Sequence, residues 1–153
     1  MISRMKIEQA APGALQAMLG LEKYLHDCGL EASLLGLVKM RASQINGCAY
    51  CLDMHSKEAR AAGESEQRLY LLNAWRESPF FSVRERAALE WTEALTKITE
   101  GHVPDEVYTL VREQFKEKEL ADLSLAIVAI NSWNRLAISF RREVGGYQPV
   151  SGR

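Results

Sequence analysis

Apolar residues recur along this chain at intervals of three and four, punctuated by prolines, glycines and serines where helices start and stop. The stretch PGALQAMLGLEKYLHDCG carries Leu15, Met18, Leu19, Leu21 and Leu25 at helical spacing, with Pro12 near its start and Gly29 beyond its end. A second helix is predicted from about Glu31 through ASLLGLVKMRASQI, stopping at the breaker pair Asn46-Gly47. The third begins at the cysteines of NGCAYC and ends at RAAG, where Gly63 suits the left-handed position after a helix. A short fourth follows Ser65 through EQRLYLLNAW and ends before Ser78-Pro79.

Residues 82–85, SVRE, have capping-box spacing: Ser82 can cap the helix and Glu85 can reach back to it. The helix they open, VRERAALEWTEALTKIT, sets Val83, Ala87, Trp91, Ala94, Leu95 and Ile98 on one face. Gly101 breaks it, and Pro104 opens another through DEVYTLVREQF. The last helix runs from about Glu119 through LADLSLAIVAINSWNRLAISFRREV to Gly145-Gly146. Its centre is apolar on nearly every side, which predicts burial within the domain or against another subunit. Trp75, Trp91 and Trp133, among apolar neighbours, are expected in the core or a subunit interface. The tail YQPVSGR reads as frayed. Strand patterning is lacking, so the expectation is one all-α domain of about seven helices over residues 1–153.

Composition narrows the function. A chain of 153 residues is one domain's worth, long enough to bury roughly two-thirds of its unfolded surface. A net charge of −1 gives no electrostatic reason to expect nucleic acid or an anionic membrane as partner. No run of 18 apolar residues occurs, so no transmembrane helix is expected. The start, MISRMKIEQAAPGAL, has no continuous apolar stretch of the secretory kind, and a cytoplasmic location is expected. Three cysteines, two of them three apart, make a poor secreted disulfide framework and a better redox or metal site.

Those two cysteines and a histidine are the candidate chemistry. With a helix starting at or just after Cys48, residues Cys48, Cys51 and His55 stand at i, i+3 and i+7 on one face. The first helical turn offers unpaired N–H groups and a partial positive charge, both favouring thiolate over thiol. A thiolate with a second cysteine in reach can be oxidised to a sulfenic acid and closed to a disulfide. His55 suits the proton transfers of that cycle at neutral pH. A zinc site is the rival reading: Cys48, Cys51 and His55 give three ligands, with Cys28, His26 and His102 the obvious cysteine or histidine donors left for a fourth. Lys39 and Arg41 could stabilise a thiolate or simply form a solvated face. Gln44 and Asn46 could bond the turn before Cys48 or merely end the preceding helix. Tyr50 points to a different face and is expected to pack.

The stretch NGCAYCLDMHSKEARAAG, followed by FSVRERAALEWTEALT, resembles the AhpD-like alkylhydroperoxidases within the carboxymuconolactone decarboxylase superfamily. The resemblance covers residues from about 31 to 99, and INSWNRLAISFR near the end fits one branch. It implies an all-α fold, assembly into homotrimers or homohexamers, and reduction of peroxides by Cys48 and Cys51 with His55 as proton relay. It also implies a separate dithiol reductant, such as a lipoylated protein, and a peroxiredoxin as an acceptor. No Gly-rich nucleotide-binding fingerprint is present, so no bound cofactor is expected. Helix-start reasoning favours Cys48 as the attacking thiol, whereas nearness to His55 and the resemblance favour Cys51. The chain departs from the family pattern at Gly36, where a relay glutamate is expected, and at Tyr50, where a histidine is common. Glu85, Glu90 and Glu93 are candidates to replace that carboxylate. The alternatives to a peroxidase are a non-catalytic redox sensor and a decarboxylase-type lyase of the same superfamily.

Overall fold

The computed structural model describes residues 2–149. Among these, nine α-helices and no strand are found: α1 (Ile7–Ala10), α2 (Pro12–Asp27), α3 (Ala32–Asn46), α4 (Ala49–Ala61), α5 (Glu66–Leu71), α6 (Val83–Thr96), α7 (Ile98–Gly101), α8 (Asp105–Arg112) and α9 (Glu117–Phe140). The seven expected helices are all present, and α1 and α7 are additional single turns. The stretch after Ser65 is α-helical only to Leu71 and then tightens into a 3₁₀ turn, Leu72–Ala74.

Most expected punctuation operates. Ser82 Oγ accepts from the Glu85 N–H at 3.2 Å, and Glu85 Oε2 accepts from the Ser82 N–H at 2.8 Å, closing the capping box on α6. Gly29 and Gly63 take positive φ, 95° and 91°, just beyond α2 and α4. The last helix differs at both ends. It starts at Glu117, with Glu119 Oε2 accepting from the Lys116 N–H at 2.8 Å. It stops at Phe140, five residues before the glycine pair, because Arg141 adopts φ 53°. The Arg141 and Arg142 N–H groups then close on the carbonyls of Ile138 and Ala137, a Schellman-type end without glycine.

Helix α3 is the middle of the molecule and packs on α4, α6 and α9. One side, Leu34, Leu35 and Val38, meets Ala87, Ala88 and Trp91 of α6 and Leu123, Ala126 and Ile127 of α9. Its other side, Leu37 and Met40, joins Leu69, Leu72, Trp75, Phe81 and Leu89. Burial on both sides explains why its apolar residues do not form a single stripe. Helix α2 is more peripheral, since Leu25 is its one buried residue and Leu19 is exposed.

By length and composition alone α9, with 24 residues and a window of mean hydropathy 1.2, is suited to cross a membrane. In this fold its Leu123, Ala126, Ile127 and Ile130 are buried inside the bundle, as are the polar Asp122 and Asn134. Val128 and Ile138 on the same helix stay exposed. The expected burial of α9 is therefore met on part of its circumference only.

Candidate active site

The reversal between α3 and α4 builds the site. Gly47 takes φ 67°, and the N–H groups of Gly47 and Cys48 bond the carbonyls of Gln44 and Ser43. This turn makes Cys48 the N-cap of α4, its Sγ standing 3.4 Å from the Cys51 N–H where a serine oxygen would cap. Side-chain amides fix the turn to α9. Asn46 Nδ2 donates to Asn131 Oδ1 and Asn134 Oδ1 at 3.0 and 2.8 Å, and Asn134 Nδ2 donates to Ser43 Oγ at 3.0 Å. Asn46 thus bonds across to α9, whereas the Gln44 side chain accepts from Arg41.

Cys48 and Cys51 are joined as a disulfide with their Cα atoms 5.4 Å apart, within the ordinary span of such a bridge. They are 1% and 2% exposed and pack with Ala42 and Ile130; Tyr50, Trp133 and Ala137 are partly buried against them. Tyr50 packs as expected and has the Arg142 guanidinium 4.5 Å over its ring. Trp133 was expected only as core or interface; its indole N–H donates to Glu22 Oε1 at 2.9 Å.

His55, one helical turn beyond Cys51, is 7% exposed. Its Nδ1 lies 2.8 Å from Glu58 Oε2, three residues further on. Tyr147 comes from the chain after α9 and donates its hydroxyl to Glu58 Oε1 at 2.6 Å. Burial pushes the Glu58 carboxyl up, but the hydrogen bonds from His55 and Tyr147 and the charges of His55 and Lys39 outweigh it and leave the group below its ordinary range. The hydrogen bond to Glu58, with burial and the charge of that carboxylate, pushes the Tyr147 phenol up to about 12. An ionised carboxylate only accepts, so Nδ1 of His55 carries a proton in either charge state, and in the neutral ring Nε2 is the nitrogen left as a base.

The carboxylate beside His55 is on α4 itself, and the candidates Glu85, Glu90 and Glu93 are engaged elsewhere. Glu85 is engaged by Arg68 at 2.6 Å and by its capping box, and Glu90 by Arg76 at 2.6 Å. Glu93 accepts from Arg41, Trp75 and Arg76 at 2.8, 2.7 and 2.7 Å. The i, i+3 spacing of His55 and Glu58 was a signal in the sequence; the contact with Tyr147, 89 positions away from Glu58, had none.

Lys39 and Arg41 do not form a solvated face. Lys39 pairs with Glu22 at 2.8 Å, and Arg41, 9% exposed, is held by Glu93, Gln44 and Asn73. The further zinc donors do not join the cysteines: Cys28 packs against the leucine-rich core, His26 is exposed beside Asp27, and His102 is exposed after α7. Among the described residues no group of three or more His, Cys, Asp or Glu side chains is placed to hold a metal ion.

The tail also differs from expectation. Lys57 Nζ donates to the carbonyls of Gly145 and Tyr147 at 3.2 and 3.0 Å, and the Gly145 N–H donates to Asp53 Oδ2 at 3.2 Å. Residues 142–147 thus lie along α4 and are docked; residues 150–153 of the stretch expected to fray are outside the described residues.

Comparison with known proteins identifies the family and the fold. Residues 12–94 match the carboxymuconolactone decarboxylase family model. The Bacillus subtilis protein YdfG, itself uncharacterised, is 45% identical over 139 residues, 91% of this chain and 95% of its own length. A crystal structure from Agrobacterium tumefaciens, of a protein of unknown function provisionally described as an antioxidant defence protein AhpD, superposes with TM-score 0.90 at 44% identity, covering 97% of this chain and 99% of that one. The debrominase Bmp8 shares the fold at TM-score 0.77 and 20% identity, over 90% of this chain and 74% of its own. With its AhpD-like helical fold and a family match over more than half its length, this chain belongs to the carboxymuconolactone decarboxylase family.

Proposed function

We propose that this protein is a thiol peroxidase that reduces peroxides through a dithiol–disulfide cycle of Cys48 and Cys51. The observation that carries the reading is a cysteine pair bridged within one helical turn, one turn before a histidine whose Nδ1 is held by a carboxylate. In the reduced state His55 Nε2 accepts the proton of Cys51, and the thiolate attacks the near oxygen of the peroxide. The O–O bond breaks, the alcohol leaves with a proton, and Cys51 becomes a sulfenic acid. Cys48 then attacks that sulfur, water leaves, and the disulfide forms. Two electrons have passed from the dithiol to the peroxide.

A second dithiol, from a lipoylated protein or a similar donor, returns those electrons by thiol–disulfide exchange. The antioxidant description of the Agrobacterium relative supports the same reading. Assembly into a homotrimer or homohexamer belongs to the proposal and rests on the family resemblance.

The test is a thiol titration before and after one equivalent of cumene hydroperoxide, on reduced wild type, Cys48→Ser and Cys51→Ser. The expected result is loss of two thiols in wild type and a trapped sulfenic acid in Cys48→Ser alone. Thiols that stay unreacted would sink the reading. Near-complete burial of the bridged pair limits the access of an external dithiol to its sulfurs, which favours one second reading, a redox sensor that forms its disulfide once and does not turn over. Peroxide consumption that stops at one equivalent despite excess dithiol identifies that case. A lyase activity on a small organic acid would survive both cysteine substitutions.

A further inference from the structure

The geometry points to Tyr147 as a positioning residue of the redox site, acting on the cysteine pair through Glu58 and His55. The inference deepens the dithiol reading above and rests on it.

Three side chains of α4 bring the tyrosine to that helix. Arg142 lies over Tyr50, the Gly145 N–H donates to Asp53, and Lys57 bonds the carbonyls of Gly145 and Tyr147. Lys57 is itself held by Asp53 at 3.0 Å. Tyr50, Asp53 and Lys57 recur at helical spacing, so the segment follows one side of α4, and Glu58 lies next to it. The hydroxyl of Tyr147 is therefore delivered to the carboxylate by a docked backbone.

Each oxygen of Glu58 has one partner: Oε2 faces His55 Nδ1 and Oε1 takes the Tyr147 proton. Glu58 is 43% exposed in its side chain, so without the second bond little keeps the carboxylate on the imidazole instead of in water. The groups facing Glu58 are His55 on its own helix, Tyr147 from the tail and the charge of Lys39 from α3; Tyr50 faces Tyr147. Pinning Oε1 keeps Glu58 turned to Nδ1, which holds Nε2 as the nitrogen free to take the thiol proton. Tyr147 transfers no proton to the substrate in this scheme; its phenol is held too high to lose one near neutral pH.

The experiment uses the full chain in a Cys28→Ser background, so that the only thiols are the pair. The rate of alkylation of the reduced protein by iodoacetamide is followed from about pH 5 to pH 9, bracketing the histidine range. Tyr147→Phe keeps the ring and removes the hydroxyl. Its profile is expected to move to higher pH, with alkylation near neutral pH about 3–10-fold slower, a fraction of the usual contribution of an acid–base group. The melting temperature should stay within ~2 °C. Glu58→Gln should shift the profile the same way, and the double variant no further than Glu58→Gln alone, because both changes break one relay. A Tyr147→Phe profile that coincides with wild type, or two shifts that add independently, would overturn the inference. A wild type that shows the expected alkylation profile yet leaves cumene hydroperoxide unconsumed defeats the peroxidase reading while leaving the role of Tyr147 standing.

Discussion

In the proposed dithiol cycle, Glu58 is the residue that orients His55. Its carboxylate fixes the His55 tautomer, and it does so from three positions along the same helix. Replacing it by glutamine keeps the shape but offers an amide, whose N–H₂ can face Nδ1 as readily as its oxygen. Glu58→Gln should slow oxidation of the reduced cysteines by cumene hydroperoxide about 10–100-fold, read by stopped-flow at neutral pH. Far-UV dichroism should be unchanged. A rate within twofold of wild type, roughly the context scatter of such effects, would show that His55 needs no carboxylate here.

Among the elements, α3 and α4 and the turn between them carry the site, and α3 holds one position that looks suboptimal. Gly36 lies within α3 where the family pattern leads one to expect a glutamate, and a Cβ built there meets nothing within 4 Å. Its backbone is helical, so glycine contributes only unfolded-state freedom. Gly36→Ala should stabilise the protein by about 0.5–1 kcal/mol in urea unfolding and leave thiol reactivity alone. The same open space shows that no neighbour demands a glycine. Turn chemistry elsewhere is tighter: Gly47 at φ 67° allows the close return of the chain from α3 into the cysteines.

For the whole molecule, the polar hub at Glu93 joins three segments. It ties Arg41 of α3 to Trp75 and Arg76 that follow the 3₁₀ turn, and both charged partners Arg41 and Glu93 have side chains only 10% and 12% exposed. Glu93→Gln leaves Arg41 largely buried beside a neutral amide, which should cost about 2–4 kcal/mol of stability. Burial pushes the Glu93 carboxyl up, but bonds from Trp75, Arg76 and Arg41 more than offset it and hold the group below its ordinary value of 4.5. Glu58 and Glu85 are depressed likewise, each against the opposing effect of burial. A depressed carboxyl contributes stability in full above its unfolded value and loses it as the pH falls through the folded one. The melting temperature should therefore hold from neutral pH down to about pH 5 and fall below that, less steeply in Glu93→Gln. A melting temperature independent of pH across that range would contradict the depressed values.

The division between what was legible in the chain and what was not follows the range of the forces involved. Helices α2 to α4 with their ends, and the start of α6, were readable, because Pro12, Gly29, Gly47, Gly63 and the Ser82–Glu85 box act on backbone within a few residues; the ends of α5 and α6 came earlier than expected. Cys48, Cys51 and His55 share a face of α4 for the same local reason, since a helix repeats every three to four residues. The end of α9 was misplaced because Arg141 takes a left-handed φ that its side chain does not announce. Which glutamate serves His55 was not readable among several, for a carboxylate bonds whatever cation or donor the folded chain brings near. Glu85, Glu90 and Glu93 are engaged by Arg68 and Arg76, and Glu93 by Arg41 of α3 as well, leaving Glu58. Tyr147 reaches Glu58 only because the chain leaving α9 turns back along α4, a path set by packing across 89 positions and by no local pattern.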